Sequence, residues 1–561
     1  MVQQVLRAVY KEVRGLHQAA YVLALFTFGS QLLALIRDRL LAAEFGAGIE
    51  LDLYYAAFRV PDLLYVLFAS TLSVYVLIPF VAERINRGGD EKAKQLLGQV
   101  FTLFLMFYSA LACIAAVFAH DIVAFLFPGF VEYQADLVLL MRILLLQPFF
   151  LGISSLYGVV TQYQHRFVLY ALSPLLYNIG IIIGLVFFYP YVGLSGLALG
   201  VVLGALSHLL VQAPFVLKSN LSPRVVKQVS FPDIAAILRV SIPRAVTLSL
   251  HQFVLLGMVG FASVMAYGSV SVFQFAFNLQ SVPLAVIGMS YSVAAFPLLA
   301  RLHAEGEMQA FGRHIVIAIR HIIFWSLPVV ALIVVVRAQF VRVIFGSGAF
   351  DWDDTRLTAA VLALFIVSLT AQAIHLLVVR ALYASGNTRL PFLVTLGSSV
   401  GALVAAFGVY VWMLYSEGFR AFLESLMRVE GVVGTEVLAL PIGYSAALIV
   451  HVLVLLLLSE RQLHFKFRAI LAHMFEAIMA AIVAGGFAYG TLNFVVVGLK
   501  TETVVGIFLQ GMLAGVVGLL GAVATYYVLK TPELFEVYNS IHKRIFKTDV
   551  VAPQDEDHLS V

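Results

Sequence analysis

The stretch SQLLALIRDRLLAAEFGAGIELDLYYAAFRVPDLL, residues 30–64, places charged side chains inside a long apolar run. Arg37 and Asp38 interrupt the first half of the run, and Asp52 and Arg59 interrupt the second half. Charges at membrane depth are costly, and they usually face a protein interior or a water-filled cavity. The stretch therefore predicts a membrane protein whose functional centre is built around these charges.

The composition of the whole chain agrees with that prediction. Of 561 residues, 62% are hydrophobic and 12% are charged, and the mean hydropathy is +0.98. Soluble domains are roughly 45–50% apolar and about 25% charged. The apolar runs approach or exceed the roughly 20 residues that a helix needs to cross a bilayer, and the alternation typical of a barrel strand does not occur. We therefore predict an all-α integral membrane protein.

The apolar runs predict about fourteen transmembrane helices. The first run is too long for the apolar region of a signal peptide, so we expect it to be retained as the first span. The predicted spans lie near residues 18–42, 51–82, 96–119, 136–160, 168–189, 193–217, 235–265, 269–300, 314–336, 356–384, 390–415, 439–459, 470–496 and 503–529.

A faint internal repeat links the two halves of the chain. The sequence IPF at residues 78–80 follows span two, and FPL at residues 296–298 follows span eight, six spans later. Parallel repeats of six helices are common in secondary transporters. We predict two pseudo-symmetric six-helix lobes and a C-terminal helix pair: an N-lobe at residues 1–217, a C-lobe at 218–460, the additional pair at 461–530 and a cytoplasmic tail at 531–561.

Basic residues concentrate in alternate loops, for example at residues 84–94, 218–227 and 461–468. The positive-inside rule then places both termini of this multi-pass protein in the cytoplasm. The formal net charge of +4 comes with no dense basic patch, so we expect no nucleic-acid partner. Cys113 is the single cysteine, so an intramolecular disulfide is excluded. The sequence contains no cluster of Cys and His residues with metal-ligand spacing, so we predict no metal site.

Several motifs, in the same order, resemble those of the MurJ (MviN) lipid II flippases. RDRLLAAEFGAGIELDLYYAAFRVPDLL at residues 37–64 is similar to that family's first two helices. RALYASGNTRLP at residues 380–391 is similar to its connection between helices ten and eleven. GAF at residues 348–350, followed by Asp354 and Thr355, is similar to the start of its tenth helix.

The resemblance implies a fold of the multidrug/oligosaccharidyl-lipid/polysaccharide exporter type, with a central cavity and a final helix pair that forms a groove for a lipid tail. It implies movement of an undecaprenyl-diphosphate-linked peptidoglycan precursor from the cytoplasmic to the outer leaflet by alternating access, without covalent chemistry. The expected partners are that lipid-linked saccharide and the bilayer, with cell-wall synthesis proteins as further candidates.

Arginine suits this cargo because its planar donor fork can pair bidentately with phosphate oxygens. The resemblance places Arg37 and Asp38 in the cavity, and Asp52 and Arg59 on the second helix. Position alone leaves other roles open: Arg37 could extend to the outer headgroups, and Asp52 could cap the outer end of its own helix. Arg59 and Asp62 are three residues apart, so we expect them to pair locally.

The chain departs from the family at three positions where further cavity cations are implied. They hold Gln31 in span one, Tyr65 in span two and Asn278 in span eight. All three can hydrogen-bond sugar or phosphate, so we keep them as candidate substrate contacts. Arg244 in span seven could supply a replacement charge, although a place near the cytoplasmic face would let it extend to headgroups instead.

Predicted spans seven, eight, ten and eleven lack a carboxylate that could bind Na⁺ or H⁺ for energy coupling. No acidic residue occurs between Asp233 and Glu305 or between Asp354 and Glu417. We therefore predict no cofactor, and coupling to the membrane potential or to an ion gradient.

Three rival interpretations remain open on sequence alone. The first is a related exporter of another lipid-linked polysaccharide or of amphipathic cations, although a cation exporter should have acidic residues deep in its cavity. The second is a membrane glycosyltransferase, which would need a substantial outer domain, whereas the largest outer loop covers only about residues 416–438. The third is a transport-inactive scaffold in wall synthesis, which the missing cations keep open. We favour the transporter over the enzyme.

Overall fold

The computed structural model describes residues 16–495 and 503–545, apart from the side chains of residues 16, 17, 19, 20, 75, 243, 244, 472, 540, 541 and 543–545. The described residues are almost entirely helical and contain no strand. The predicted all-α fold is therefore confirmed. The chain divides into two compact units, which do not follow the chain order. The lobes at residues 1–217 and 218–460 stay a prediction.

The first unit consists of Met1–Gln280, Val341–Phe365 and Asn387–His451. Its core is a cluster of apolar side chains that includes Leu97 and Phe104. The helices that lie wholly or mostly in this unit are α1 (Leu16–Phe45), α2 (Ile49–Ala57), α3 (Arg59–Ala69), α4 (Val74–Val117), α5 (Ala119–Leu126), α6 (Gln134–Leu144), α7 (Leu146–Tyr163), α8 (Phe167–Ile183), α9 (Tyr189–Val192), α10 (Leu194–Leu210), α11 (Ala213–Lys218), α12 (Phe231–Ser263), α13 (Ser269–Leu284), α16 (Trp352–Ile366), α18 (Arg389–Tyr415), α19 (Glu417–Met427) and α20 (Ala439–Ser459).

The second unit consists of Ser281–Phe340, Ile366–Gly386 and Val452–Val561. Arg320 and Tyr526 belong to it, and the Tyr526 hydroxyl donates to the carbonyl oxygen of Phe324 at 2.7 Å. The helices that lie wholly or mostly in this unit are α14 (Ser290–Ala304), α15 (Met308–Phe345), α17 (Leu369–Ala384), α21 (Phe467–Gly490), α22 (Val504–Val528) and α23 (Pro532–Ile545).

The predicted number of fourteen spans is not confirmed. Within the described residues, twelve helices are long and apolar enough to cross a membrane, or thirteen if α16 and α17 together form one span bent by 44°. Predicted span two, residues 51–82, is missing from this set because its helix is broken. Its pieces α2 and α3 have only 9 and 11 residues, and α4 begins at Val74.

Pro61 explains the first break in span two. Proline has no N–H to donate and its ring clashes with the carbonyl of the residue four positions earlier, here Ala57. Helix α2 ends at Ala57, and α3 begins at Arg59 with Pro61 in its first turn. The break makes Arg59 the first residue of a new helix.

Helices α8 and α10 cross at a glycine contact. A Cβ added to Gly180 would lie 2.3 Å from the Cα of Gly204, and one added to Gly184 would lie 2.4 Å from the Cα of Gly200. Small residues at a helix crossing let two membrane helices approach backbone to backbone. This contact fixes α8, which contributes one residue to the candidate site.

Candidate functional site

Asp52 holds the first turn of α13. Its Oδ2 accepts a hydrogen bond from the Gly268 amide at 2.7 Å, and its Oδ1 accepts from the amide and the hydroxyl of Ser271 at 2.7 and 2.6 Å. A carboxylate here satisfies amides that have no partner within the helix and interacts favourably with the helix dipole. Asp52 is 1% exposed. The structure thus makes Asp52 a cap, on α13 rather than on its own helix, and its role as a substrate contact stays a prediction.

Arg37 is held between α1 and α8. Its Nε and one terminal nitrogen donate to Oδ1 of Asp38 at 2.9 and 2.7 Å, and its other terminal nitrogen donates to Oδ1 of Asn178 at 2.9 Å. Asn178 in turn donates to the hydroxyl of Ser30 at 3.2 Å. The Arg37 side chain is 20% exposed. These contacts use three of the five N–H donors of the guanidinium and leave its fork fixed in orientation.

Asp38 continues this arrangement to α13. Its second oxygen accepts from the side-chain amide of Asn278 at 3.0 Å, and the Asn278 carbonyl accepts from the Gln274 amide at 2.7 Å. The Gln274 carbonyl accepts from Arg59. Six side chains thus form one series of hydrogen bonds across α3, α13, α1 and α8. We refer to it as the polar chain, and its members in order are Arg59, Gln274, Asn278, Asp38, Arg37 and Asn178.

Arg59 and Asp62 do not form the predicted ion pair. Among the described residues, the guanidinium of Arg59 hydrogen-bonds only to Gln274, and its buried Nε has no hydrogen-bond partner. Arg59 is the first residue of α3, and its side chain hydrogen-bonds to Gln274 on α13 instead of pairing with Asp62. The two charges still act on each other electrostatically.

The three positions that depart from the family do not share one environment. Asn278 belongs to the polar chain. The Tyr65 hydroxyl lies 3.3 Å from the hydroxyl of Ser155 on α7, so it is partnered outside the polar chain. Gln31 is exposed on α1 and makes no side-chain hydrogen bond to the described residues. The side chain of Arg244 lies outside the described residues, and only its backbone position in α12 is known.

The motif at the start of α16 has a structural role. The Asp354 amide donates to Oδ1 of Asp351 at 2.8 Å, and Oδ2 of Asp354 accepts from the Ala47 amide at 3.1 Å. The Ala349 amide donates to the Ala43 carbonyl at 2.8 Å. These bonds cap α16 and join it to the end of α1, as the acidic cluster before this helix predicts.

Two members of the polar chain were not predicted from sequence. Asn178 stands in the apolar run of α8, and Gln274 precedes Asn278 by one helical turn on α13. An isolated amide inside an apolar membrane helix is a usable signal, since it must find a hydrogen-bond partner there. The identity of the partner is not readable, because Asn178 and Arg37 are 141 residues apart in sequence.

The charges of the site are balanced. Two arginines, Arg37 and Arg59, face two carboxylates, Asp38 and Asp62. No group of three or more His, Cys, Asp or Glu side chains that could hold a metal occurs in the described part of the chain. The arrangement can bind an anion by exchanging a carboxylate partner of arginine for a ligand oxygen, and it can hydrogen-bond hydroxyls through Asn278 and Gln274.

The twelve or thirteen candidate spans of the described residues and the buried series of charged and amide groups define a multi-pass membrane protein, the class to which the transporter predicted from sequence belongs. The family model of the lipid II flippase MurJ matches residues 41–510. The chain therefore belongs to the lipid II flippase MurJ family, as the motifs in α1 and α2 predict.

Individual relatives agree with this assignment. The probable lipid II flippase MurJ of Bdellovibrio bacteriovorus is 28% identical over 68% of this chain and 74% of its own length. The lipid II flippase MurJ of Burkholderia cenocepacia is 24% identical over 68% of this chain and 76% of its own length.

Solved structures share the fold. A lipid II flippase MurJ in an inward closed conformation matches with a TM-score of 0.71 at 21% identity, over 91% of this chain and 99% of that one. An inward-facing multidrug resistance MATE family transporter of the MOP superfamily matches with a TM-score of 0.63 at 16% identity, over 78% of this chain and 94% of that one. The predicted exporter-type fold is confirmed.

Proposed function

We propose that this chain moves an undecaprenyl-diphosphate-linked cell-wall precursor, lipid II or a related lipid-linked saccharide, from the inner to the outer leaflet by alternating access. The observation that supports it best is Arg37, an arginine held in fixed orientation at membrane depth and still 20% exposed. A guanidinium in this setting can pair with two phosphate oxygens at once.

Asp38 acts as the resting counter-ion in this proposal. It accepts two hydrogen bonds from Arg37, and a diphosphate oxygen that takes its place keeps the guanidinium neutralised. Asp38 then loses its hydrogen bonds from Arg37 but keeps the one that Asn278 donates to its other oxygen. Binding and release therefore exchange one anion for another at Arg37, so the guanidinium is not left without a counter-ion at membrane depth, which would be costly.

The nature of the saccharide is the open part of this proposal. The family resemblance implies cations at the positions of Gln31, Tyr65 and Asn278, which are neutral here. The site therefore offers less positive charge to a diphosphate, and the proposed cargo includes related lipid-linked saccharides besides lipid II. An exporter of amphipathic cations fits less well, since the more exposed member of the Arg37–Asp38 pair is the cation, with side chains 20% and 4% exposed. A transport-inactive scaffold would need no exposed arginine at this depth.

The same proposal includes the membrane orientation, the energy source and the protein partners. Both termini lie on the cytoplasmic side of the inner membrane, in accord with the basic loops. Transport is coupled to the membrane potential or to an ion gradient, and the membrane potential acts on the charge of the cargo directly. Cell-wall synthesis proteins on either side of the membrane supply and consume the cargo and are the proposed partners.

Rescue of a bacterium depleted of its own lipid II flippase tests this function in the cell. Expression of this chain is expected to restore growth, and Arg37→Ala is expected to abolish the rescue. Arg142→Ala is the matched control, because Arg142 is an exposed arginine whose Nε donates only to the backbone carbonyl of Ala116. Failure of the unaltered chain to rescue, with normal membrane insertion, contradicts lipid II as the cargo.

A further inference from the structure

Helix α19 lies between two candidate membrane spans. Only Ser416 separates its first residue, Glu417, from the end of α18 at Tyr415, and α20 begins at Ala439. The Ser416 hydroxyl accepts a hydrogen bond from the Phe419 amide at 3.3 Å, which caps α19 where the chain turns away from α18. This short connection keeps the start of α19 at the level where α18 ends.

The packing of α19 places it beside the last turns of α18. The Phe419 ring stacks on the Trp412 ring, with centroids 3.7 Å apart and planes at 5°. Leu423 is buried in a cluster with Met413, against which Val409 also packs. Val409 precedes the end of α18 by about 9 Å along the helix axis, at 1.5 Å per residue. Helix α19 therefore lies at the depth of the final turns of a membrane span.

The charged side chains in the middle of α19 turn toward the protein. Nε of Arg420 donates to Oε1 of Glu424 at 2.8 Å, and a terminal nitrogen of Arg420 lies 3.0 Å from Oε1 of Glu436. The Thr435 hydroxyl donates to Glu424 at 2.6 Å. The three charged side chains also line a cavity of about 520 Å³, which is large enough to hydrate them.

Another side of α19 is apolar and exposed. Phe422 and Leu426 are 60% and 55% exposed, and their spacing places them on the same face as Phe419. Trp412, on which Phe419 stacks, is 56% exposed and belongs to α18, so this face continues onto a membrane span. Tryptophan is enriched at the boundary between membrane and water. A surface helix in water has the reverse arrangement, with its charges outward.

We propose that α19 lies in the headgroup region of the outer leaflet, with Phe422 and Leu426 inserted among the acyl chains. The choice of leaflet rests on the orientation in the proposed function. Lipid is the occupant because this face continues the surface of α18 at the depth of its final turns. The segment EGFRAFLESLM has one basic and two acidic residues, so apolar burial and not attraction to anionic lipid drives the insertion.

Fluorescence quenching in proteoliposomes of neutral lipid tests this proposal. The full-length chain with Cys113→Ser carries Phe422→Cys or Leu426→Cys, each labelled with bimane. Glu417→Cys is the matched control, because Glu417 is exposed and lies five residues before Phe422, on the other side of the helix. A nitroxide near the lipid headgroup is expected to quench the labels at 422 and 426 several-fold more strongly than the control.

Depth, charge and sidedness give further readouts. An interfacial helix buries its apolar face about 5–10 Å into the boundary, so a nitroxide at the end of the acyl chain should quench less than one near the headgroup. Anionic lipid in place of neutral lipid should leave the quenching unchanged. In spheroplasts, a membrane-impermeant maleimide added outside should label Glu417→Cys.

Four results would overturn the proposal. Equal lipid quenching at 417 and 422, with aqueous iodide reaching both labels, would place the face in water. Protection of the 422 label from lipid and iodide alike would make a second copy of the chain the occupant. Quenching that requires anionic lipid would contradict apolar insertion, and labelling of Glu417→Cys only from the inside would refute the outer leaflet. None of these measurements needs cargo, so a failure of lipid II transport would leave the insertion of α19 standing.

Discussion

The carboxylate of Asp52 accepts hydrogen bonds from both the backbone amide and the hydroxyl of Ser271, across 219 positions of sequence. This contact ties the second predicted span to the first turn of α13. The polar chain begins on the same two elements, at Arg59 and Gln274, so the cap at Asp52 sets the register in which those side chains meet. The capping contact is therefore a structural condition for the binding site.

Loss of the Asp52 carboxylate is expected to destabilise the protein. Asp52→Ala leaves the amides of Gly268 and Ser271 buried without a partner, which should cost about 2–4 kcal/mol as two lost contacts. Ser271→Ala removes only the hydroxyl and should cost about 1 kcal/mol. Thermal unfolding of the two variants in one detergent measures the difference, and equal losses would show that the backbone capping contributes nothing.

The glycine crossing of α8 and α10 predicts a sharp contrast between two similar substitutions. Gly180→Ala places a Cβ against the backbone of Gly204 and should cost about 1–3 kcal/mol through overpacking. Gly397→Ala on α18 meets no atom within 4 Å and should be neutral or slightly stabilising. Thermal unfolding measures both, and a neutral Gly180→Ala would refute the close crossing.

The second unit contains an ion pair with a defined pH dependence. Nε of Arg320 donates to Oε1 of Glu533 at 2.5 Å, joining α15 to α23. Burial by itself would raise the pKa of Glu533, but the hydrogen bond from Arg320 and the nearby charges hold it below the ordinary value of 4.5. A lowered pKa means that the pair stabilises α23 fully above pH 4.5 and loses this contribution as the pH falls through the lower value.

Glu533→Gln tests this contact. At pH 7, protease should cleave within α23 faster in the variant than in the unaltered chain, in keeping with a loss of about 1–3 kcal/mol. The difference should shrink as the pH falls through the lowered pKa of Glu533, below 4.5, since the carboxyl of the unaltered chain then becomes neutral like the glutamine of the variant. A difference independent of pH would assign the effect to packing instead of charge.

Asp62 should oppose the binding of an anionic cargo. Its carboxylate acts on Arg59 without pairing with it, so Asp62→Asn removes a repulsive charge and leaves the hydrogen bond of Arg59 to Gln274 intact. We expect the affinity for undecaprenyl diphosphate to rise by about 3- to 10-fold. A fall in affinity would mean that Asp62 accepts hydrogen bonds from the cargo.

Much of this architecture follows from local properties of the sequence. Hydropathy predicts most of the spans because each long apolar run must satisfy its backbone as a helix in lipid. Pro61 predicts the break in span two because its effect is local to one helical turn. The direction of the Arg59 side chain toward Gln274 could not be predicted, since it depends on how α3 and α13 pack.

The hydrogen-bond partners of the candidate residues could not be predicted from the sequence. Asp52, Asp38 and Arg37 were all identified as candidates, but their partners Ser271, Asn278 and Asn178 lie more than a hundred residues away. Charge alone suggested that Arg59 pairs with Asp62, whereas tertiary packing gives it a neutral amide. The same packing makes Asp52 a cap of α13 rather than of its own helix.

Movement of lipid II between the leaflets of proteoliposomes tests the central claim most directly. The purified chain is reconstituted with lipid II, and an enzyme added outside modifies only the headgroups that reach the outer leaflet. The account predicts that the unaltered chain and Arg142→Ala move lipid II at similar initial rates, and that Arg37→Ala is slower by at least about 10-fold. Equal rates for Arg37→Ala and Arg142→Ala, or no movement by the unaltered chain, would contradict it.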